Sequence, residues 1–162
     1  MKEFKKPEWD PFVKWKWRSY DGKKNIDVCD FIENRKQDLF FIGTDSQNYS
    51  KNNICQFTTV LIAYRMKKGG AVITHKIKVP YMDSLRQRLV MEAMLSLEVA
   101  WYLDQKIPKE SIVGIHLDVN RNLKYKSGQY KDELVGMIIG QGFNALTKPD
   151  AWAASSVADA KC

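Results

Sequence analysis

The chain reads as an α/β protein built on a mixed sheet. Three observations predict this. Its first half holds runs of β-branched and aromatic residues joined by polar turns. One such turn, Lys67-Lys68-Gly69-Gly70, makes a hairpin between two long runs. In its second half, apolar runs alternate with helical patterns. The resulting order is β-β-β-α-β-α-β-α, an antiparallel meander followed by strand–helix alternation, with helices laid on the faces of the sheet.

The elements follow in order. Residues 1–38 form a basic, aromatic arm with Pro7, Pro11 and one short helix over about Asn25–Gln37, with Ile26, Cys29 and Ile32 as its inner face. The arm is expected to dock on a main domain spanning 39–162. The first strand, about Leu39–Asp45, is a continuous apolar run of the kind buried on both faces. Ser46–Asn53 is polar and reads as a turn. A strand at Ile54–Met66 and another at Ala71–Val79 flank the hairpin turn. The second of these alternates, with Lys76 and Lys78 facing outward as on a sheet edge. A helix is predicted over Asp83–Leu103, capped by Asp83 or Ser84 and closed before Pro108. A strand at Ser111–Val119, a helix at Gly128–Gln141 stopped by Gly142, a strand at Phe143–Thr147 and a last helix at Asp150–Lys161 complete the chain.

With 44% hydrophobic and 28% charged residues over 162 positions, the composition is that of one globular domain. The net charge of +7 favours polyanionic partners. The three cysteines form no C-x-x-C pair, which argues against a zinc site or a disulfide framework. No apolar run approaches the ~20 residues of a membrane span and the start lacks a signal-peptide core, so a cytoplasmic protein is expected.

The candidate chemistry lies in acids placed among apolar residues. At about 100° per residue, Glu92 falls within about 20° of Leu85, Val99 and Leu103, on the inner stripe of its helix. Asp45 and Asp118 close two apolar strands, Phe40-Phe41-Ile42-Gly43-Thr44-Asp45 and Ile112-Val113-Gly114-Ile115-His116-Leu117-Asp118. A buried charge costs several kcal/mol unless it is paired or binds a metal. Structural readings stand beside each: Glu92 paired with Arg86 or Arg88, Asp45 capping the turn after it, His116 and His75 as core histidines. In the last helix Asp159 shares a face with Trp152 and Ser155, whereas Asp150 sits in the first turn, where an acid satisfies free amides. Carboxylate oxygens suit Mg²⁺ or Mn²⁺, and two such ions about 3.5–4 Å apart support phosphodiester hydrolysis. No G-x-x-x-x-G-K-[ST] phosphate loop is present.

The segments Ile42-Gly43-Thr44-Asp45-Ser46-Gln47, Arg88-Leu89 with Glu92 and Ser96, His116-Leu117-Asp118-Val119-Asn120, Lys126-Ser127 and Lys148-Pro149-Asp150-Ala151-Trp152-Ala153-Ala154-Ser155-Ser156-Val157-Ala158-Asp159 resemble the YkuK-like family of ribonuclease H-like proteins. The resemblance covers about 39–162 and extends to the short helix before it. It implies a five-stranded mixed sheet and metal-dependent phosphodiester cleavage, the usual chemistry of the superfold. It also implies a ligand set of Asp45, Glu92, Asp118 and Asp159 for two Mg²⁺ or Mn²⁺ ions, with Asp150 as the alternative fourth acid. The implied substrate is RNA, an RNA–DNA hybrid or structured DNA. The alternative function is nucleic-acid binding with a degenerate, non-catalytic site. A nucleotide-binding, actin-like reading is disfavoured, because Gly43-Thr44-Asp45 reverses the order of that superfold's phosphate turn.

Lys14-Trp15-Lys16-Trp17-Arg18 interleaves cations with aromatics. Such a stretch can contact phosphates and stack bases, or its tryptophans can pin the arm to the domain. With Lys126 and Lys148 it supplies the candidate nucleic-acid-binding residues.

Overall fold

The computed structural model describes residues 15–120 and 126–148. Strands β1 (Trp17–Ser19) and β2 (Asn25–Ile26) and helix α1 (Val28–Glu33) come from the arm. The rest comprises β3 (Leu39–Tyr49), β4 (Ile54–Arg65), β5 (Gly69–Pro80), α2 (Leu85–Lys106), β6 (Ile112–Asn120), α3 (Lys131–Gly140) and β7 (Ala145–Lys148). The strands form one mixed sheet in the order β2-β1-β5-β4-β3-β6-β7. The β3–β4 and β4–β5 pairs are antiparallel, and the β3–β6 and β6–β7 pairs are parallel.

The five expected strands are all present, but among the described residues the sheet has seven. The two additional strands arise because the arm pairs with β5, Arg18 opposite Thr74 and Ser19 opposite Ile73. The lysine-bearing strand is therefore not the sheet edge. β3 also runs past its expected end: Ser46–Tyr49, read as a turn, continue the ladder to Tyr49 opposite Ile54. Paired backbone amides outweigh the weak strand preference of Ser, Gln and Asn. The arm's helix is shorter than expected, since Asp27 caps it by accepting from the Asp30 amide at 3.1 Å. Val28 and Ile32 form its inner face, while Ile26 belongs to β2 and Cys29 is exposed. The predicted last helix lies outside the described residues.

β4 is buried on both faces from Cys55 to Ala63, as the central member of a covered sheet must be. α2 lies against one face through Leu89, Ala93, Leu97, Ala100 and Leu103. Ser84 caps it by accepting from the Gln87 amide. Its small residues allow a close approach to β3, where the hydroxyls of Thr44 and Ser96 meet at 2.8 Å and those of Thr44 and Thr59 at 3.0 Å. Asn48 ties the chain before α2 to β3, donating to the Met82 carbonyl at 2.8 Å. α3 ends as expected at Gly142 (φ +87°), whose amide bonds to Ile139 while Phe143 bonds back to Ile138. At Gly114 a Cβ would sit 3.0 Å from the Asn144 carbonyl oxygen, so a larger residue would push the chain before β7 back by a few tenths of an ångström. Among the described residues no helix is long and apolar enough to cross a membrane.

Candidate metal centre

Strand alternation and register place the acids. Gly43 on β3 is opposite His116 on the parallel strand β6. Asp45 and Asp118 each lie two residues further on. They therefore share one face at the same end of neighbouring strands, which are about 4.8 Å apart. Asp45 is buried and Asp118 half-buried. Glu92, 6% exposed on α2, reaches this end of the sheet and accepts a hydrogen bond from Ser46 Oγ at 2.9 Å.

Glu92 is the electrostatic centre of the group. Burial pushes its carboxyl well above the usual range, and the negative charge of Asp45, then that of Asp118, pushes it further. The Ser46 hydroxyl and the Arg88 guanidinium work in the opposite direction. Arg88 stands one helical turn before Glu92 and donates through a long 3.4 Å contact to the same Ser46 hydroxyl. Its Nε is buried with no hydrogen-bond partner. The pairing expected of Arg86 is absent, because Arg86 forms a fork with Glu133 on α3 instead.

The acids influence one another as charges, yet among the described residues no three acids, histidines or cysteines are gathered into a ready-made ligand cage. Asp150 and Asp159 lie outside the described residues. His116 is buried against Phe41, ring centroids 5.4 Å apart, and burial lowers its pKa to about 4. A neutral core histidine matches the structural reading of this residue. His75 is likewise buried: its Nδ1 meets the Lys16 carbonyl at 2.9 Å and its ring stacks on Trp15 at 4.3 Å.

Of the interleaved motif, Lys14 lies outside the described residues. Trp17 is 2% exposed in the core and Trp15 packs beside it, with ring centroids 5.8 Å apart. Lys16 and Arg18 face solvent. The tryptophans anchor the arm, and only the cations are presented outward. Lys126 opens a 3-10 turn and Lys148 ends β7. Reading the sequence missed Ser46 as the hydrogen-bond donor to Glu92, although its position directly after Asp45 was a signal.

The ribonuclease H-like family pattern matches residues 25–162. A Bacillus subtilis (strain 168) protein, "Uncharacterized protein YkuK", is 31% identical over 144 residues, covering 77% of this chain and 79% of the relative. The chain belongs to the YkuK-like ribonuclease H-like family. No solved structure gives a significant match. Membership in a ribonuclease H-like family ties the domain to nucleic-acid-related function. The family match begins at Asn25, so it includes β2 and α1 but not β1.

Proposed function

We propose that this ribonuclease H-like protein is a divalent-metal-dependent nuclease that hydrolyses phosphodiester bonds in RNA, an RNA–DNA hybrid or structured DNA. One observation carries the reading. Glu92 is a buried carboxyl, its ionisation opposed by Asp45 and Asp118, at the C-terminal end of parallel strands where open α/β sheets bind ligands. An acid in that position is costly unless a cation or a proton compensates it. The donor chemistry fits Mg²⁺ or Mn²⁺, because all three groups offer hard oxygens. Asp45, Glu92 and Asp118 would hold the ions, with Asp159, or Asp150 in its place, as the fourth acid. Bound there, such ions supply Lewis-acid activation of water and charge neutralisation at the leaving oxygen.

The chain's own side chains prepare this chemistry. Ser46 fixes one Glu92 oxygen by a donated hydrogen bond, which orients the carboxylate. Arg88 favours the ionised form of Glu92, and its guanidinium is of the type that would grip a substrate phosphate in two parallel hydrogen bonds. Deep burial of Asp45 and Glu92 excludes water from their flanks and strengthens every charge interaction between them.

The test is cleavage of labelled RNA, hybrid and branched-DNA substrates with Mn²⁺. The wild type should cut, and Asp45→Asn and Asp118→Asn should lose activity by at least two orders of magnitude, the scale typical of lost transition-state stabilisation. Equal activity in the variants rejects the site. The lack of a ready-made cage among the described residues supports a second reading, a nucleic-acid-binding protein with a degenerate centre. Binding without cutting in any divalent metal selects it.

A further inference from the structure

The cations of the arm have a definite place in the fold. Along β1 and the two residues before it, side chains alternate: Trp15 and Trp17 turn toward His75 and the core, while Lys16 and Arg18 turn the other way. Arg18 is opposite Thr74 on β5, and Lys76 follows Thr74 on that same face. These residues line a groove of about 480 Å³ together with Tyr20, Asp21 and Gly22. Its volume is that of a small-ligand site, but its walls carry three cations against one carboxylate, and its one aromatic residue is Tyr20, 45% exposed. Asp21 is engaged in shaping the turn, accepting from Ser19 Oγ at 2.6 Å and from the Lys23 amide at 2.9 Å.

The groove is also related to the acids by register. Asp45 is opposite Thr58, and Thr58 is opposite Lys76. Lys76 therefore lies on the same sheet face as Asp45, two strand spacings or roughly 10 Å away. Thr58 between them is fully buried, so the groove and the acids are separate subsites. Cations two residues apart on a strand repeat at about 6.6 Å, on the scale of one nucleotide step.

We infer that the groove between β1 and β5 is a second, sequence-independent subsite that holds backbone phosphates of a single nucleic-acid strand through Lys16, Arg18 and Lys76, with Tyr20 placed to stack a base. The inference rests on the reading of the chain as a protein that engages nucleic acid, but not on catalysis. Its partner is the sugar-phosphate backbone, because cations dominate the walls.

The experiment is fluorescence anisotropy of a labelled single-stranded RNA oligonucleotide, titrated with the full chain in EDTA at several salt concentrations. The groove variant Lys16→Gln/Arg18→Gln/Lys76→Gln is compared with Lys51→Gln/Lys67→Gln/Lys68→Gln, exposed lysines elsewhere carrying the same loss of charge. Each lost phosphate contact on a single strand lowers the slope of log K against log salt by about 0.7. The groove variant should lose about 2 from that slope and roughly tenfold or more in affinity at low salt, and the control should lose clearly less. Identical losses in the two variants, or no binding by the wild type, overturn the inference. If the triple variant melts early, Lys76→Gln alone gives the reading, with a slope change of about 0.7 expected and none overturning it. The two proposals fail separately. Cutting that ignores Asp45→Asn, with a groove slope that still changes, removes the nuclease and leaves the subsite. Cutting lost in Asp45→Asn, with groove binding unchanged, does the reverse.

Discussion

Because Glu92 is buried among like charges, its titration is tied to folding. Its folded pKa lies above its unfolded value. The folded state therefore binds more protons between those two values, and stability falls as pH rises through that window. Glu92→Gln should raise the melting temperature at pH 8 in EDTA, and the gain should shrink toward pH 4.5; calorimetry across pH reads both. Mn²⁺ should raise the melting temperature of the wild type and leave Glu92→Gln nearly unmoved, since a bound ion stabilises in proportion to its affinity for the native state. Arg88 acts on the same carboxyl from the other side. Arg88→Gln should move the acid limb of the pH–activity profile to higher pH, because Glu92 then ionises later. The position of Glu92 on the inner stripe was legible from periodicity alone. Its hydrogen bond from Ser46 was not, because Ser46 reads as the start of a turn, whereas β3 continues through it to Tyr49.

At the scale of elements, the pattern of strands and helices was readable wherever apolar periodicity was strong. β4, β5, α2 and β6 appear within a few residues of their expected bounds. What escaped was pairing. Nothing in Trp17-Arg18-Ser19 marks it as a strand, since three residues carry too little period-two signal. The strand exists because β5 offers it unpaired amides and carbonyls. The same gap hid the groove, because Lys76 and Lys78 were legible as outward-facing but their neighbour across the ladder was not. Trp17 fastens this element. Trp17→Ala should cost about 3–5 kcal/mol, measured by urea denaturation, with loss of protection of the β1 amides in hydrogen exchange. Gly114→Ala should cost roughly 1–3 kcal/mol in the same assay, because the added Cβ presses on the Asn144 carbonyl.

For the molecule as a whole, the buried histidines and the buried glutamate set opposing responses to acid. Burial lowers the pKa of His116 to about 4 and also lowers that of His75. A histidine held neutral contributes stability that is complete above its unfolded pKa near 6.5 and is lost as pH falls toward the folded value. Glu92 gains a proton in the folded state over part of that range and works the other way. Glu92→Gln should therefore lose stability more steeply than the wild type between pH 6.5 and 4.5, by up to about 1.4 kcal/mol per pH unit.

The addition of β1 to β5 has one more consequence. With the arm in place the outermost strands among the described residues are β2, of two residues, and β7, of four. A chain shortened to begin at Asn25, where the family match starts, would lose the β1 ladder and lay bare the middle of β5 at Ile73 and Thr74, within a strand twelve residues long. Backbone groups left unpaired in mid-strand are a template for intermolecular strand addition. The shortened protein should elute as dimers or larger species in size-exclusion chromatography and bind thioflavin T on standing, making the arm a guard against self-association.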